Sequence, residues 1–122
     1  MAPLQFGRAT LRSNERLQLE SEFKHVFDSG KKLAGQYIVL VIGSAPDGEL
    51  RFGVVCSRKY STRAVIRNRA RRLMRESFRL LKANVRPAHL VFMARQRLKG
   101  RALQEVQSEM LDLLRRADLW IG

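Results

Sequence analysis

From about residue 62 to residue 82 the apolar side chains recur at spacings of three and four, and arginines fill most of the rest of each turn. Ile66, Ala70, Leu73, Met74, Ser77, Phe78 and Leu81 form one stripe when successive residues are turned by about 100°, the pattern of a helix with one face in a core. Arg67, Asn68, Arg69, Arg71, Arg72, Arg75 and Arg79 occupy the remaining arc of roughly 200°. The spacing therefore predicts a helix from about Thr62, its candidate cap, to Lys82, with one packing face and one cationic face.

A charge run is most often a solvated face, but solvated helices mix signs and place opposite charges at i,i+4. Here Arg63, Arg67, Arg71, Arg75 and Arg79 repeat at i,i+4 with one sign, which costs an isolated helix a few tenths of a kcal/mol per pair. Such repulsion calls for a counter-charge from outside the helix. From Ser57 to Arg79 nine residues are basic and one is acidic, so this stretch carries most of the chain's net charge of +13. That concentration points to a polyanion, and nucleic acid is the leading candidate. Arginine outnumbers lysine, which suits bidentate phosphate binding, although a G+C-rich genome produces the same bias.

At 122 residues the chain is expected to form a single domain, residues 1–122, with residues 1–15 an extended arm. The longest apolar run, Tyr37 to Ile42, is far too short to span a bilayer, and the basic helix lacks aromatic anchors on its apolar face, so no membrane partner is expected. Met1 to Arg12 lacks the apolar run of a secretory signal, and the expected compartment is the cytoplasm. Cys56, the sole cysteine, ends an apolar stretch and reads as core.

Ser21 can cap a short helix through Phe23, Val26 and Phe27 that Gly30 closes. Lys31 to Ala34 reads as a short strand. Gln36 to Gly43 and Leu50 to Cys56 are apolar stretches around the turn residues Ala45-Pro46-Asp47-Gly48, which predicts a hairpin. After the basic helix and Pro87, His89 to Ala94 is a further strand, and Leu103, Val106, Met110, Leu113, Leu114 and Ala117 mark a closing amphipathic helix. The order implies an α+β fold, a sheet of about four strands with three helices packed against it.

No carboxylate cluster, histidine pair or glycine-rich phosphate loop is visible, so neither catalytic residues nor a metal site nor a small-molecule substrate is expected. His25 and His89 are far apart in sequence and read as surface or packing residues. Phe23, Phe27 and Tyr37 have two readings. Aromatics at such positions are usually core, yet stacking beside cationic side chains is how single-stranded nucleic acid is held, at about 1 to 3 kcal/mol per base.

The triplet Arg67-Asn68-Arg69 lies after Ser57-Arg58-Lys59 and before Ala70-Arg71-Arg72-Leu73-Met74-Arg75-Glu76-Ser77-Phe78-Arg79. Together with Phe23-Lys24-His25-Val26-Phe27, Leu50-Arg51-Phe52-Gly53 and His89-Leu90-Val91-Phe92-Met93-Ala94-Arg95, it resembles the family of bacterial ribonuclease P protein components over nearly the whole chain. The resemblance implies a protein that binds a catalytic RNA and helps it remove the 5′ leader of precursor tRNA, with Mg2+ bound mainly by the RNA. It implies a two-layer α/β sandwich of ribosomal-protein-like type, with a left-handed βαβ crossover through the basic helix.

By the same resemblance, Arg58, Lys59, Arg63, Arg67, Asn68, Arg69, Arg71, Arg72 and Arg75 are the RNA-binding residues. Phe23, Phe27, Tyr37, Arg67, Asn68 and Arg71 would line a leader cleft, while Arg69, Arg72 and Arg75 would face the RNA subunit. Val41 stands where many members have an aromatic, and Tyr60-Ser61-Thr62-Arg63 replaces a glycine-containing loop. Two other classes remain on the residues alone. One is a ribosomal or assembly module with no associated cleavage; the other is an autonomous nuclease, which would need the clustered carboxylates that the sequence does not display.

Overall fold

The computed structural model describes Arg16, Leu17 and residues 20–122. Helix α1 spans Glu20–Ser29, followed by strands β1 (Lys31–Ala34), β2 (Ile38–Gly43) and β3 (Arg51–Val55). Helix α2 covers Ala64–Arg79, strand β4 His89–Ala94 and helix α3 Leu103–Arg116. The strands form one mixed sheet in the order β1-β2-β4-β3. Neighbours are antiparallel except β3 and β4, which are parallel, so the chain between them makes a crossover that contains α2.

This order corrects the expected hairpin. β2 and β3 do not pair, because β4 lies between them, with Leu40 opposite Phe92 on one side and Val54 opposite Phe92 on the other. The reason is burial. β4 starts with four buried residues in succession, His89 to Val91 and Phe92, and a strand apolar on both faces belongs inside a sheet rather than at its edge. The Ala45–Gly48 turn forms as expected, with the Gly48 N–H donating to the Ala45 carbonyl at 3.0 Å and Gly48 at a φ of 72°. Asp47 in that turn accepts from Arg51 Nε at 2.7 Å and sits 3.3 Å from His89 Nε2, tying the connection to the first residues of β3 and β4.

The sheet and α2 with α3 form the main sandwich. Its core contains Ile38, Leu40, Phe52, Phe92, Met74, Phe78, Val106, Met110, Leu113 and Leu114. Phe78 lies at its centre, with ring centroids 4.7 Å from Phe52 and 5.1 Å from Phe92. The helix stripe read from the sequence thus enters this core through Ala70, Met74, Ser77 and Phe78, with Ile66 and Leu73 half-buried at its margin. Alternation along the strands sends Val41 and Val91 to the opposite face, where Val26 of α1 and Leu17 cover them.

Two helix starts differ from expectation. α1 already includes Glu20, so Ser21 lies inside it and is not its cap. Thr62 does not cap α2 either: the Ser61 hydroxyl accepts the Arg63 N–H at 3.1 Å, the local turn this makes holds the chain, and Arg63 takes the cap position without a side-chain bond. At the other end α2 stops at Arg79, where the Leu81 N–H turns back to the Phe78 carbonyl and buries Leu81 beneath a tighter turn.

Candidate nucleic-acid interface

Because α2 buries one stripe against the sheet, its arginines are displayed along the opposite arc. Glu76 is the single carboxylate on this helix, and it pairs with Arg79 at 3.0 Å. Arg58, Arg69 and Arg72 are exposed and have no side-chain hydrogen bond or ion pair among the described residues. Among the described residues the cationic face is therefore not neutralised by the chain's acids.

The half-buried guanidiniums are positioned by backbone carbonyls. Arg67 donates from Nη1 to the Ser61 carbonyl at 3.1 Å, and Arg71 from Nη1 to the Cys56 carbonyl at 3.4 Å. Arg71 also donates from Nη2 to the Asn68 side-chain oxygen. Carbonyl acceptors orient a guanidinium without cancelling its charge, which leaves its remaining N–H groups available to a phosphate.

Arg75 lies between the two edges of the cationic arc. Spacings of three and four set it beside both Arg72 and Arg71, and it also feels the charge of Arg16. Partial burial first, then the like charges of Arg16 and Arg71, push the Arg75 guanidinium below its ordinary pKa. Arg16 itself is not found by sequence reasoning, since its bridge with Phe52 and the burial of Leu17 next to it carry this segment alongside β3. Nothing local in the sequence signals that bridge.

On the α1 face, Phe23, Phe27, Val39, Val55 and Met93 are the partly exposed members of the small apolar cluster. Val39 lies opposite Met93, and Met93 opposite Val55, so three strands contribute one continuous row. Val55 immediately precedes Cys56, whose carbonyl holds Arg71, and the apolar row thereby ends beside the Arg71 and Asn68 pair. Phe23 and Phe27 thus belong to this apolar row, and Asn68 and Arg71 are tied to the chain just after β3.

Tyr37 is not brought to that group. It packs against the main core, with the Arg101 guanidinium 5.8 Å above its ring. The cause is the bend before β2: the N–H groups of Gln36, Tyr37 and Ile38 all turn to the Glu109 carboxylate, at 2.7, 2.8 and 2.9 Å. Strand alternation begins only at Ile38, so position 37 does not share a face with Val39. Val41 is fully buried under α1 and offers no contact surface. Tyr60 is also buried, beneath Lys99 Nζ at 4.9 Å from its ring centroid.

Among the described residues no three His, Cys, Asp or Glu side chains are grouped so as to hold a metal ion, and no helix is long and apolar enough to cross a membrane. Burial pushes the Cys56 thiol up from its ordinary value, against the opposing pull of Arg71, Arg67 and Lys99, as befits an inert core cysteine.

Residues 11–118 match the protein family described as Ribonuclease P. A ribonuclease P protein component from Exiguobacterium sp. is 36% identical over 110 residues, spanning 90% of this chain and 96% of the relative. The solved ribonuclease P protein from Thermotoga maritima has a TM-score of 0.74 at 31% identity, covering 84% of this chain and 96% of that one. The one from Staphylococcus aureus has a TM-score of 0.77 at 23% identity, covering 87% and 97%, a likeness of fold. With the cationic crossover helix in place and the family match extending over most of its length, the chain belongs to the bacterial ribonuclease P protein family.

Proposed function

We propose that this chain is the protein subunit of a ribonuclease P holoenzyme, binding the catalytic RNA and the 5′ leader of precursor tRNA while the RNA performs the cleavage. The observation that carries this reading is the cationic face of α2 and the loop before it, where Arg69 and Arg72 on the helix and Arg58 on the loop have no partner among the described residues and the lone helix carboxylate is committed to Arg79. A helix that retains this much uncompensated charge gains most by neutralising phosphates, and each neutralised phosphate releases counterions. Arg69 and Arg72 face the RNA subunit. Arg67, Asn68 and Arg71, at the end of the apolar row with Phe23 and Phe27, receive the leader, whose bases stack where its phosphates meet guanidinium. Arg75 joins the leader side, next to Arg16 and Arg71. Arg58, Lys59 and Arg63 extend the RNA contact along the loop before α2.

Magnesium belongs to the RNA on this reading. The described side chains provide no carboxylate cluster to hold it, and the protein's part is to bind, orient and screen. Cytoplasmic location follows from the RNA partner. The test is reconstitution: purified protein added to ribonuclease P RNA at low magnesium, with leader removal from precursor tRNA as the readout. Stimulation of cleavage is expected. A protein that binds both RNAs without accelerating cleavage is instead an assembly module.

A further inference from the structure

Outside the α2 face, the carboxyl ends of the parallel strands β3 and β4 open into a crevice of about 430 Å³. Ser57 follows β3 and Ala94 ends β4, and the crevice between them is lined by Lys59, Arg95, Gln96 and Arg97. Among the described residues no carboxylate lines it. The strand ends of an open sheet are where such crevices receive ligands, because the two chains diverge there into separate loops.

The two loops are fastened to each other. Gln96 Nε2 donates to the Lys59 carbonyl at 2.5 Å, and Lys99 Nζ donates to Gln96 Oε1 at 2.8 Å while lying over the Tyr60 ring. Arg95 is anchored by a 2.6 Å bond from Nη1 to the Gly35 carbonyl. These contacts hold the two loops together and place Arg95 and Lys99 without neutralising them. The side chains of Lys59 and Arg97 have no hydrogen bond or ion pair among the described residues.

The acids nearest in the fold are already engaged. Arg97 also borders a neighbouring crevice that contains Glu105, Glu109 and Asp112. Glu109 accepts three backbone N–H groups, Glu105 is bound to Arg101 and the Ala102 N–H, and Asp112 to Arg116. None is within ion-pair distance of Arg97. Tyr60, the one aromatic in the lining, is buried, so the crevice has no ring face on which a base could stack. Its chemistry suits a phosphate rather than a nucleobase.

We propose that this strand-end crevice is a separate binding site for a backbone phosphate of RNA, in which Arg97 and Lys59 supply the charge and Ser57 and Gln96 the polar rim. The proposal rests on the RNA-binding reading above and extends the contact surface off α2 onto the loop after β4. The phosphate can belong to the RNA subunit or to precursor tRNA, and the two sources are separable.

The full-length protein carrying Arg97→Gln is compared with wild type and with Arg72→Gln in two titrations across a salt series. One measures binding to the ribonuclease P RNA alone; the other measures precursor tRNA binding to the assembled holoenzyme. Losing one phosphate contact lowers the log-log salt slope by about 0.9 on duplex RNA or about 0.7 on a single strand, and weakens binding to all sequences alike. Arg97→Gln is expected to do this in one of the two titrations, which identifies the source, and Arg97→Lys to keep the wild-type slope. If Arg97→Gln matches wild type in both while Arg72→Gln lowers the slope, the crevice is not a phosphate site and the α2 reading stands. If wild type itself binds RNA with no salt dependence, both readings fall.

Discussion

The Phe23 ring lies directly on the bare backbone of Gly53: a β-carbon at Gly53 would come within 2.5 Å of Phe23 Cε1 and Cζ. No real pair of carbons tolerates that distance, and Leu17 Cβ closes the space on another side at 3.5 Å. Gly53→Ala must therefore displace the ring that starts the apolar row. Destabilisation of about 1 to 3 kcal/mol is expected from overpacking, read as a lower urea midpoint at unchanged m-value. An unchanged midpoint would mean that the ring moves aside freely, and that α1 is held by something other than this contact.

Phe27 and Tyr37 separate two descriptions of the leader site. Phe27→Ala is expected to reduce the preference of the holoenzyme for leader-bearing over mature tRNA by about 1 to 3 kcal/mol, the worth of one stacked base. Tyr37→Ala should leave that preference where it is, since Tyr37 packs beneath Arg101 on the other core. Competition binding of the two tRNA forms checks both. Equal losses in the two variants would show that the leader passes along both faces.

Arg69 and Arg72 are exposed and make no side-chain hydrogen bond or ion pair among the described residues, so replacing them probes mainly the partner. Arg69→Gln and Arg72→Gln should each change folding stability by less than about 0.5 kcal/mol, as for other surface substitutions. Each should nevertheless lower the salt slope for ribonuclease P RNA binding by about 0.9 if the contacted phosphate lies in a duplex. Thermal melts and filter binding measure the two quantities. A large drop in melting temperature would place these arginines in the fold's own interactions.

Asp47 makes stability depend on acid. The Glu49 N–H and then the Arg51 guanidinium hold its carboxyl at about 2, below the ordinary 3.8. A carboxylate with a depressed folded pKa contributes stability that is fully present above 3.8 and is lost as pH falls through about 2. Asp47→Asn should thus be less stable than wild type at pH 7, and the gap should close between about pH 4 and pH 2. Urea midpoints across that range test it. A gap that stays constant with pH would assign the loss to the turn geometry instead of the charge.

The helix stripe was legible because its residues are decided by local periodicity: Ala70, Met74, Ser77 and Phe78 are buried and the arginines between them face outward. The same holds for α3 and for the family motif around Arg67-Asn68-Arg69, where close neighbours in sequence carry the whole pattern. Cys56 reads as core for the same reason, closing an apolar run and buried in the structure. The position of Arg75 was equally available, since spacing of four sets it with Arg71.

Pairing and side were different. β2 and β3 flank a good turn, and only the burial of β4 on both faces drew that strand between them. Tyr37 is two residues from Val39 and would share its face in a continuous strand, but Glu109, 72 residues away, captures its N–H and shifts the start of the strand. Arg16 reaches Arg75 through a bridge to Phe52, and Arg97 borders Lys59 only because β3 and β4 end together. The sequence by itself determined the amphipathic helices and the charge they display, since a helix repeats every few residues and needs no partner to define its faces. Which strand lies beside which, and therefore which cations share a crevice, was decided by tertiary burial, because hydrogen bonds between strands join residues that have no common local pattern.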